Sequence, residues 1–352
     1  MPMNTWKFYS SHLERVSRSF SFCIAQLRCP QRDWIALSYL LFRIADTIED
    51  SKWEDQAQQF SQFKIFKQAL LSKNNISSIN TWLNLFPKEI SHGEQLLLND
   101  TERLLQELFK LPERITEQIQ KNVCQMMSGM KHFLRHHSSE GELVLSNLSQ
   151  LNQYCFFVAG LVGELLTVFF VDALKEVEIS NNLLFQSFHF GLFLQKINIL
   201  KDQMDDEGIG RKFVSSRKEL RLSITNHAIQ ALAYIQHLPI KAARSFRLFC
   251  AWSLFIGLAS LKWIDKSYQE KATYKIPKSE TLALTFKIKC IIDSNASLDK
   301  LFLKYVPAAA MPQSTISHTN ALPLPEWFRT IYPSQFLNTH ANELGLLEEI
   351  SN

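Results

Sequence analysis

Residues 191–213 read GLFLQKINILKDQMDDEGIGRKF, and the fold class turns on this stretch. On a helix, Gln195, Asn198, Asp202 and Asp205/Asp206 fall at i, i+3, i+7 and i+10/i+11, so they share one face. The segment follows an apolar run and ends in a glycine-containing loop with the basic pair Arg211 and Lys212. A long helix that carries a polar stripe through an apolar body is the unit to look for elsewhere in the chain.

Outward from that helix, breaks are scarce. The 352 residues include only 10 glycines and 11 prolines, and between residues 31 and 270 the prolines are Pro87, Pro112 and Pro239. Glycine and proline punctuate turns, and a sheet-based fold of this size needs many of them. Long helices follow, and a doubly wound nucleotide-binding fold, a β-sandwich and a β-barrel are disfavoured. Helical periodicity covers most of residues 31–300, with helices near 31–50, 53–71, 94–109, 113–137, 148–173, 180–206, 216–237, 240–265 and 279–292. Breaks fall at Lys73–Ser78, Pro87, Leu111–Pro112, Ser138–Gly141 and Glu207–Gly210. The expected architecture is all-α, a single-domain helical bundle over residues 1–306 around a central apolar cavity. Residues 307–352 read as an irregular, proline-containing extension with no membrane anchor.

Apolar residues make up 46% and charged ones 20%, which excludes a disordered or fibrous chain. The net charge of +4, with both signs interspersed, gives no basic surface for nucleic acid. Six scattered cysteines without a C-x-x-C pair read as free thiols in a reducing compartment. Residues 154–171 and 248–261 are apolar but read as buried core helices, the first carrying Glu164 and the second falling short of a bilayer's thickness. The reading is a soluble, cytoplasmic monomer, with peripheral contact to a membrane left open. Twenty-six phenylalanines fit either a large aromatic core or an aromatic-lined tunnel for a long apolar ligand.

A second stretch matches the first. In LSYLLFRIADTIEDS (residues 37–51), Tyr39, Arg43, Asp46 and Asp50 follow i, i+4, i+7 and i+11, a polar stripe among Leu, Ile, Phe and Ala. Two carboxylates on one apolar helix repel each other and resist desolvation, so they need a cation. The alternative for this stretch alone is a solvated face with an internal Arg43–Asp46 pair. Two D-x-x-x-D helices, Asp46/Asp50 and Asp202/Asp206, together suggest facing carboxylate clusters. Hard oxygen ligands without cysteine favour Mg²⁺, which bridges carboxylates to substrate phosphates. The chemistry implied is ionisation of an allylic diphosphate, with metal on the departing pyrophosphate and an aromatic cavity sheltering the carbocation. His132 and His136 have metal-ligand spacing, but their basic neighbours make a solvated face the better reading. Gly160 and Gly163 suggest a close helix approach near Tyr154.

SRSFSF (17–22), YLLFRIADTIED (39–50), YCFFVAGLVGELL (154–166) and GLFLQKINILKDQMDD (191–206) resemble the squalene synthases, the head-to-head branch of the isoprenoid synthases that also holds phytoene and dehydrosqualene synthases. The similarity runs from about residue 14 to about 290, and the FLQK run favours the squalene side. The resemblance implies a helical bundle and condensation of two farnesyl diphosphates through presqualene diphosphate to squalene, with Mg²⁺ and with NADPH for the second half. It implies that Asp46 and Asp50 bind metal for one diphosphate, and Asp202 and Asp206 for the other. Arg43, with Arg18 and Ser17, would contact diphosphate oxygens. Tyr39, Gln195, Asn198 and Lys201 belong to the same polar faces as further substrate contacts. Tyr154 matches a tyrosine that assists proton removal, and Phe20 and Phe249 match cavity-lining aromatics. Arg211, Lys275 and Lys278 are the positions expected to serve NADPH.

The chain departs from the family pattern mainly in the second half of the chemistry. Lys201 stands for the usual arginine, Gln203 for an aromatic, FCAWSL (249–254) for FCAIPQ, and KIPKS (275–279) for KIRKG. The GGREFWP loop reads GIGRKFVS here. These differences leave open an NADPH-independent product such as presqualene diphosphate, dehydrosqualene or an alcohol. A phytoene-type synthase acting on longer diphosphates stays open too, as does an inactive relative that binds lipid or protein. An apolar product would leave through a membrane surface or a carrier.

Overall fold

The computed structural model describes residues 5–79, 82–87, 89–135, 143–145, 147–174, 178–208 and 216–306. Among the described residues there are fourteen α-helices, two 3-10 segments, one π turn and no strand, so the all-α reading holds. Residues 307–352, the extension read from the sequence, lie outside them. The chain forms two compact units that meet in sequence at Lys131/His132.

The first unit contains α1 (Thr5–Val16), α2 (Arg18–Ala25), α3 (Gln31–Asp50), α4 (Gln56–Leu71), α5 (His92–Asn99), α6 (Thr101–Leu108) and most of α7 (Glu113–Arg135). Helix α3 runs through the middle, packed against α1, α2, α4, α5 and α6. From Trp34 to Glu49 every residue is buried except Tyr39, Arg43 and Asp46. A helix enclosed on nearly all sides must be apolar nearly all round, and the polar stripe is the face left accessible. At the break expected over Lys73–Ser78 the chain forms a 3-10 helix, Lys73–Ile79.

Two expectations need correction here. Helices α1 and α2 lie outside the expected periodic region, although Phe8, Tyr9, His12 and Leu13 form a buried face on α1. The helix expected over 94–109 is two, divided at Asp100, whose φ of −93° and ψ of 8° leave the helical well. The buried His12 imidazole donates from Nε2 to Asp100 Oδ2 at 2.9 Å, which engages that side chain across the unit.

The second unit is built on α10 (Asn181–Gly208), packed against α8 (Leu148–Cys155), α9 (Leu161–Leu174), α11 (Arg217–His237) and α12 (Arg244–Glu270). Helices α13 (Lys278–Ile291) and α14 (Asn295–Phe302) complete the described part. Between α8 and α9 the expected single helix carries a π turn, Phe156–Gly160. The close approach expected at the glycines is present. A Cβ on Gly163 would sit 2.1 Å from Ser187 O, and one on Gly191 would sit 2.2 Å from Ala159 O. Backbone therefore meets backbone where α9 and the π turn cross α10.

Leu148–Leu174 and Arg244–Glu270 are long and apolar enough to cross a membrane, but they are mostly buried in the fold. Glu164, on the first of them, is itself buried. On the second, Ser253 donates to Phe249 O at 3.0 Å, and α12 continues unbroken. Trp252 donates from Nε1 to Thr285 O at 3.1 Å and ties α12 to α13. The fully buried Arg247 guanidinium donates to Ile235 O, Leu238 O, Ile292 O and Asn295 Oδ1 at 2.6, 2.9, 3.1 and 2.6 Å. It thereby caps the C-termini of α11 and α13, whose last carbonyls have no partner within the helix.

Candidate active site

In the first unit the polar stripe of α3 is a connected set. Arg43 Nη2 donates to Glu94 Oε1 at 2.7 Å, and its Nη1 lies 3.8 Å from Asp46 Oδ2. Burial pulls the guanidinium pKa down, but Asp46, Glu94 and Asp50 outweigh it and raise the value above the ordinary one. Arg43 Nε is buried and has no hydrogen-bond partner. Glu94 is itself held, because its other oxygen accepts from Ser91 N at 3.1 Å and from Ser91 Oγ at 2.6 Å, forming the capping box of α5.

Ser17 is the N-cap residue of α2, but its side chain makes no cap bond and hydrogen-bonds the Tyr39 hydroxyl instead. Burial raises the Tyr39 pKa, while Ser17 and Arg43 act against that rise. The Phe20 ring lies 5.4 Å from the Tyr39 ring. The structure thus brings together Ser17, Phe20, Tyr39, Arg43 and Asp46, with Asp50 exposed one turn further on. The Arg18 side chain lies outside the described residues.

In the second unit α10 has the same pattern. Gln195 and Asp202 are half-buried and Asn198 and Lys201 exposed, while Lys196, Ile197, Ile199 and Leu200 are buried. Lys201 Nζ pairs with Asp202 Oδ2 at 3.1 Å. Gln203 Oε1 accepts from Arg217 Nη1 at 2.9 Å, and the same guanidinium bonds Asp265 at 3.0 Å and lies 4.3 Å from the Tyr268 ring. The Asp205 and Asp206 side chains and all of Arg211 lie outside the described residues.

Tyr154 is buried in the last turn of α8, two residues before the π turn begins, with its ring edge-on to Phe133 at 5.5 Å. Such turns re-aim side chains and recur at functional sites. Phe249 is buried against Phe170, ring centroids 6.2 Å apart. Lys275 and Lys278 are exposed where the chain enters α13. His132 is half-buried, and His136 and His137 lie outside the described residues.

Sequence reasoning missed three residues. Glu94 pairs with Arg43 across 51 positions, which no local spacing reveals. Arg217 joins α10, α11 and α12 for the same reason. Lys196 is wholly buried, and its signal was present, since it is the one Lys, Arg, Asp or Glu between residues 181 and 200. Among the described residues no three His, Cys, Asp or Glu side chains cluster as a ready-made metal cage.

The squalene/phytoene synthase family profile matches residues 13–255. The squalene synthase of Saccharomyces cerevisiae is 32% identical over 309 residues, which are 79% of this chain and 66% of that protein. Squalene synthase 1 of Arabidopsis thaliana is 30% identical over 211 residues, covering 58% of this chain and 46% of that protein. The chain therefore spans just under two thirds of the yeast relative and less than half of the plant one. Among solved structures, TcSQS in complex with a ligand matches with a TM-score of 0.69 at 22% identity, covering 89% of this chain and 94% of that one. A ligand-bound dehydrosqualene synthase matches with a TM-score of 0.54 at 18% identity, covering 82% of this chain and 97% of that one.

Proposed function

The chain belongs to the squalene/phytoene synthase family, and on that premise we propose that it condenses two farnesyl diphosphates head to head, through presqualene diphosphate, to squalene. The observation that carries this reading is the accessible carboxylate-and-arginine stripe on α3, the face left unburied between Trp34 and Glu49. A diphosphate is the ligand such a face suits, because it supplies negative charge to Arg43 and oxygen atoms to a metal.

The donor set fits Mg²⁺. Asp46 and Asp50 are accessible oxygen donors one turn apart, with no thiolate or imidazole among them. Magnesium is bound through one or two carboxylates plus substrate phosphates rather than by an all-protein cage. Asp46 and Asp50 would hold it for one diphosphate, and Asp202 and Asp206 for the other. When bound, the metal would stabilise the negative charge of the departing pyrophosphate.

The chain's own residues do the rest. Arg43, oriented by Glu94, neutralises diphosphate charge, and Tyr39 and Ser17 complete that face. Gln195, Asn198 and Lys201 supply hydrogen bonds and charge along the second stripe. Tyr154, in a buried aromatic setting, accepts or relays the proton lost from the first carbocation. Phe20 and Phe249 contribute apolar walls that exclude water. Lys275 and Lys278, with Arg211, would hold the phosphates of NADPH, which supplies hydride in the second half.

A second reading has its own support. Lys201 is paired with Asp202, and Gln203 is engaged by Arg217 at positions where the family carries an arginine and an aromatic. These substitutions favour a product released before reduction. The deciding experiment incubates the protein with farnesyl diphosphate and Mg²⁺, with and without NADPH, and identifies the products by mass spectrometry. Squalene formed only with NADPH supports the full reaction. Presqualene diphosphate, dehydrosqualene or an alcohol in both arms supports the second reading. No product from folded protein overturns both. Asp46→Asn is expected to abolish turnover with helical content unchanged.

A further inference from the structure

Lys196 is completely buried in the second unit, and its ammonium nitrogen joins α10 to two further helices. It donates to Asn152 Oδ1 on α8, lies 2.5 Å from Ser223 Oγ and lies 2.8 Å from His227 Nε2, both on α11. His227 Nδ1 in turn lies 2.6 Å from Nδ1 of the buried His189, two turns back on α10. No carboxylate stands within ion-pair distance of Lys196 among the described residues. The buried titratable groups on the helices packed against α10 are Tyr154 and Cys155 on α8, Glu164 on α9, His227 and Tyr234 on α11, and Arg247 and Cys250 on α12; the titratable groups Asp172, Arg217, Lys218, Glu219, Arg221, His237, Arg244, Lys262, Asp265, Lys266, Tyr268 and Glu270 on these helices are not buried. Of these, Cys155 is the one that acts electrostatically on the lysine, opposing the burial that lowers its pKa.

The bonds that link Lys196, His227 and His189 Nδ1 can be made in two protonation states. A charged Lys196 has three protons for its three partners, His227 then donates from Nδ1 to His189 Nδ1, and His189 keeps its proton on Nε2. A neutral Lys196 donates to Asn152 and Ser223 and accepts from His227 Nε2, while His189 Nδ1 donates to His227 Nδ1. Between the two states one proton passes from Lys196 to His227 Nε2 and one from His227 Nδ1 to His189 Nδ1, while the buried His189 Nε2 gives up its proton, which reaches solvent when the packing around that nitrogen opens. Both bonds of the relay survive with their directions reversed. A buried lysine without a counter-charge is costly, and the three-helix arrangement supplies a bonded place for either form.

Asn152 is two residues before Tyr154, and Lys196 lies between Gln195 and Asn198. We propose that Lys196 is a positioning residue: through its bonds to Asn152, Ser223 and His227 it sets the α8 turn that delivers the Tyr154 phenol, and its coupling to the two histidines makes that position depend on pH. The inference rests on the condensation reading, since it assigns Tyr154 a part in proton removal.

The experiment compares wild type with Lys196→Met in two readouts: product formation from farnesyl diphosphate and Mg²⁺ across pH, and the resonance of ¹³C-labelled Tyr154, identified by Tyr154→Phe. The expected wild-type kcat profile has a limb near pH 7, where burial brings the lysine pKa to about 7. The variant is expected to lose that limb and at least tenfold in kcat with KM within twofold. The Tyr154 resonance is expected to move with pH in wild type and to stay still in the variant. A variant that keeps the wild-type kcat or the limb overturns the proposal, as does a Tyr154 resonance insensitive to pH in both proteins. An inactive wild type whose Tyr154 resonance still titrates through Lys196 supports the positioning role and sinks the reaction assignment alone. Should Lys196→Met fail to fold, His227→Gln keeps an acceptor for the lysine but cannot reverse the relay. It is expected to shift the limb or the resonance midpoint by at least half a pH unit, and an unshifted midpoint overturns the proposal.

Discussion

Arg43 Nη2 sits 2.7 Å from Glu94 Oε1, whereas its neighbour on the same helix, Asp46, approaches Nη1 only to 3.8 Å. The guanidinium is therefore aimed more closely by a residue of α5 than by its own helix. Glu94 does two jobs with two oxygens, one on Arg43 and one on Ser91. The substitutions separate them. Glu94→Gln retains the cap and weakens the charged bond, so kcat/KM for farnesyl diphosphate is expected to fall about tenfold with an unchanged melting temperature. Glu94→Ala loses both, adding a stability loss of about 1 kcal/mol. Steady-state kinetics beside thermal melts distinguish the two, and equal activity in Glu94→Gln would refute the aiming role.

Gly163 has no room for a side chain. An added Cβ would lie 2.1 Å from Ser187 O and 2.7 Å from its carbonyl carbon, both backbone atoms that cannot rotate away. Gly163→Ala is expected to push α9 off α10 and cost about 3 kcal/mol, read as a lowered urea midpoint. Gly93→Ala is the control, because its nearest neighbours lie at 3.2 Å and beyond; it is expected to cost under about 1 kcal/mol. Equal losses would remove the close-approach argument.

Arg247 is a buried cation whose partners are three backbone carbonyls and one side-chain amide oxygen. Arg247→Met fills the volume but leaves the ends of α11 and α13 without donors. The expected destabilisation is about 3 kcal/mol or more, with Arg247→Lys intermediate because one ammonium cannot span four acceptors. Denaturant titration of the three proteins reads the order directly, and a Met variant as stable as wild type would show that the carbonyls find water instead.

How much of this was legible depends on the range of each interaction. Helix α3 was readable to the residue, because every position of one 20-residue segment carries its own burial signal and Tyr39, Arg43, Asp46 and Asp50 share a helical face. The gap at Pro112 was readable for the same local reason. The division at Asp100 was not, since its partner His12 lies 88 positions away. Glu94 and Arg217 were hidden likewise, as charged residues whose partners arrive only with the fold. The π turn sits in a run so uniformly apolar that periodicity has nothing to count, although Gly160 and Gly163 pointed to the crossing. Lys196 stands out in the sequence as a charge inside an apolar helix, but the FLQK motif around it masks a buried group in need of partners.

Lys271 ends α12 in the left-handed region, at φ 49° and ψ 41°, the one non-glycine residue with positive φ among those described. Its Cβ crowds the neighbouring carbonyl there, a strain that glycine does not have. Glycine is also more flexible in the unfolded chain, which offsets part of the gain. Lys271→Gly is expected to raise the melting temperature by about 2 °C without altering product formation. A lowered melting temperature would mean that the side chain contributes more than the backbone strain costs.

Lys196 also makes stability depend on pH, with a definite sign. Its pKa falls from 10.5 in the unfolded chain to about 7 in the fold because burial disfavours the charged form. Between those values the unfolded chain holds a proton that the folded chain has released, so stability rises with pH across the window. Below about 7 both states are protonated and the burial penalty is fully present, and above 10.5 both are neutral and it is gone. Lys196→Met removes the titration along with the hydrogen bonds. The stability of wild type minus that of the variant should therefore climb from about pH 7 to about pH 9, with a limiting slope of about 1.4 kcal/mol per pH unit. Urea melts at several pH values measure it. Parallel stability curves would mean that the lysine holds the same charge folded and unfolded, and the reversible histidine relay would then have no proton to carry.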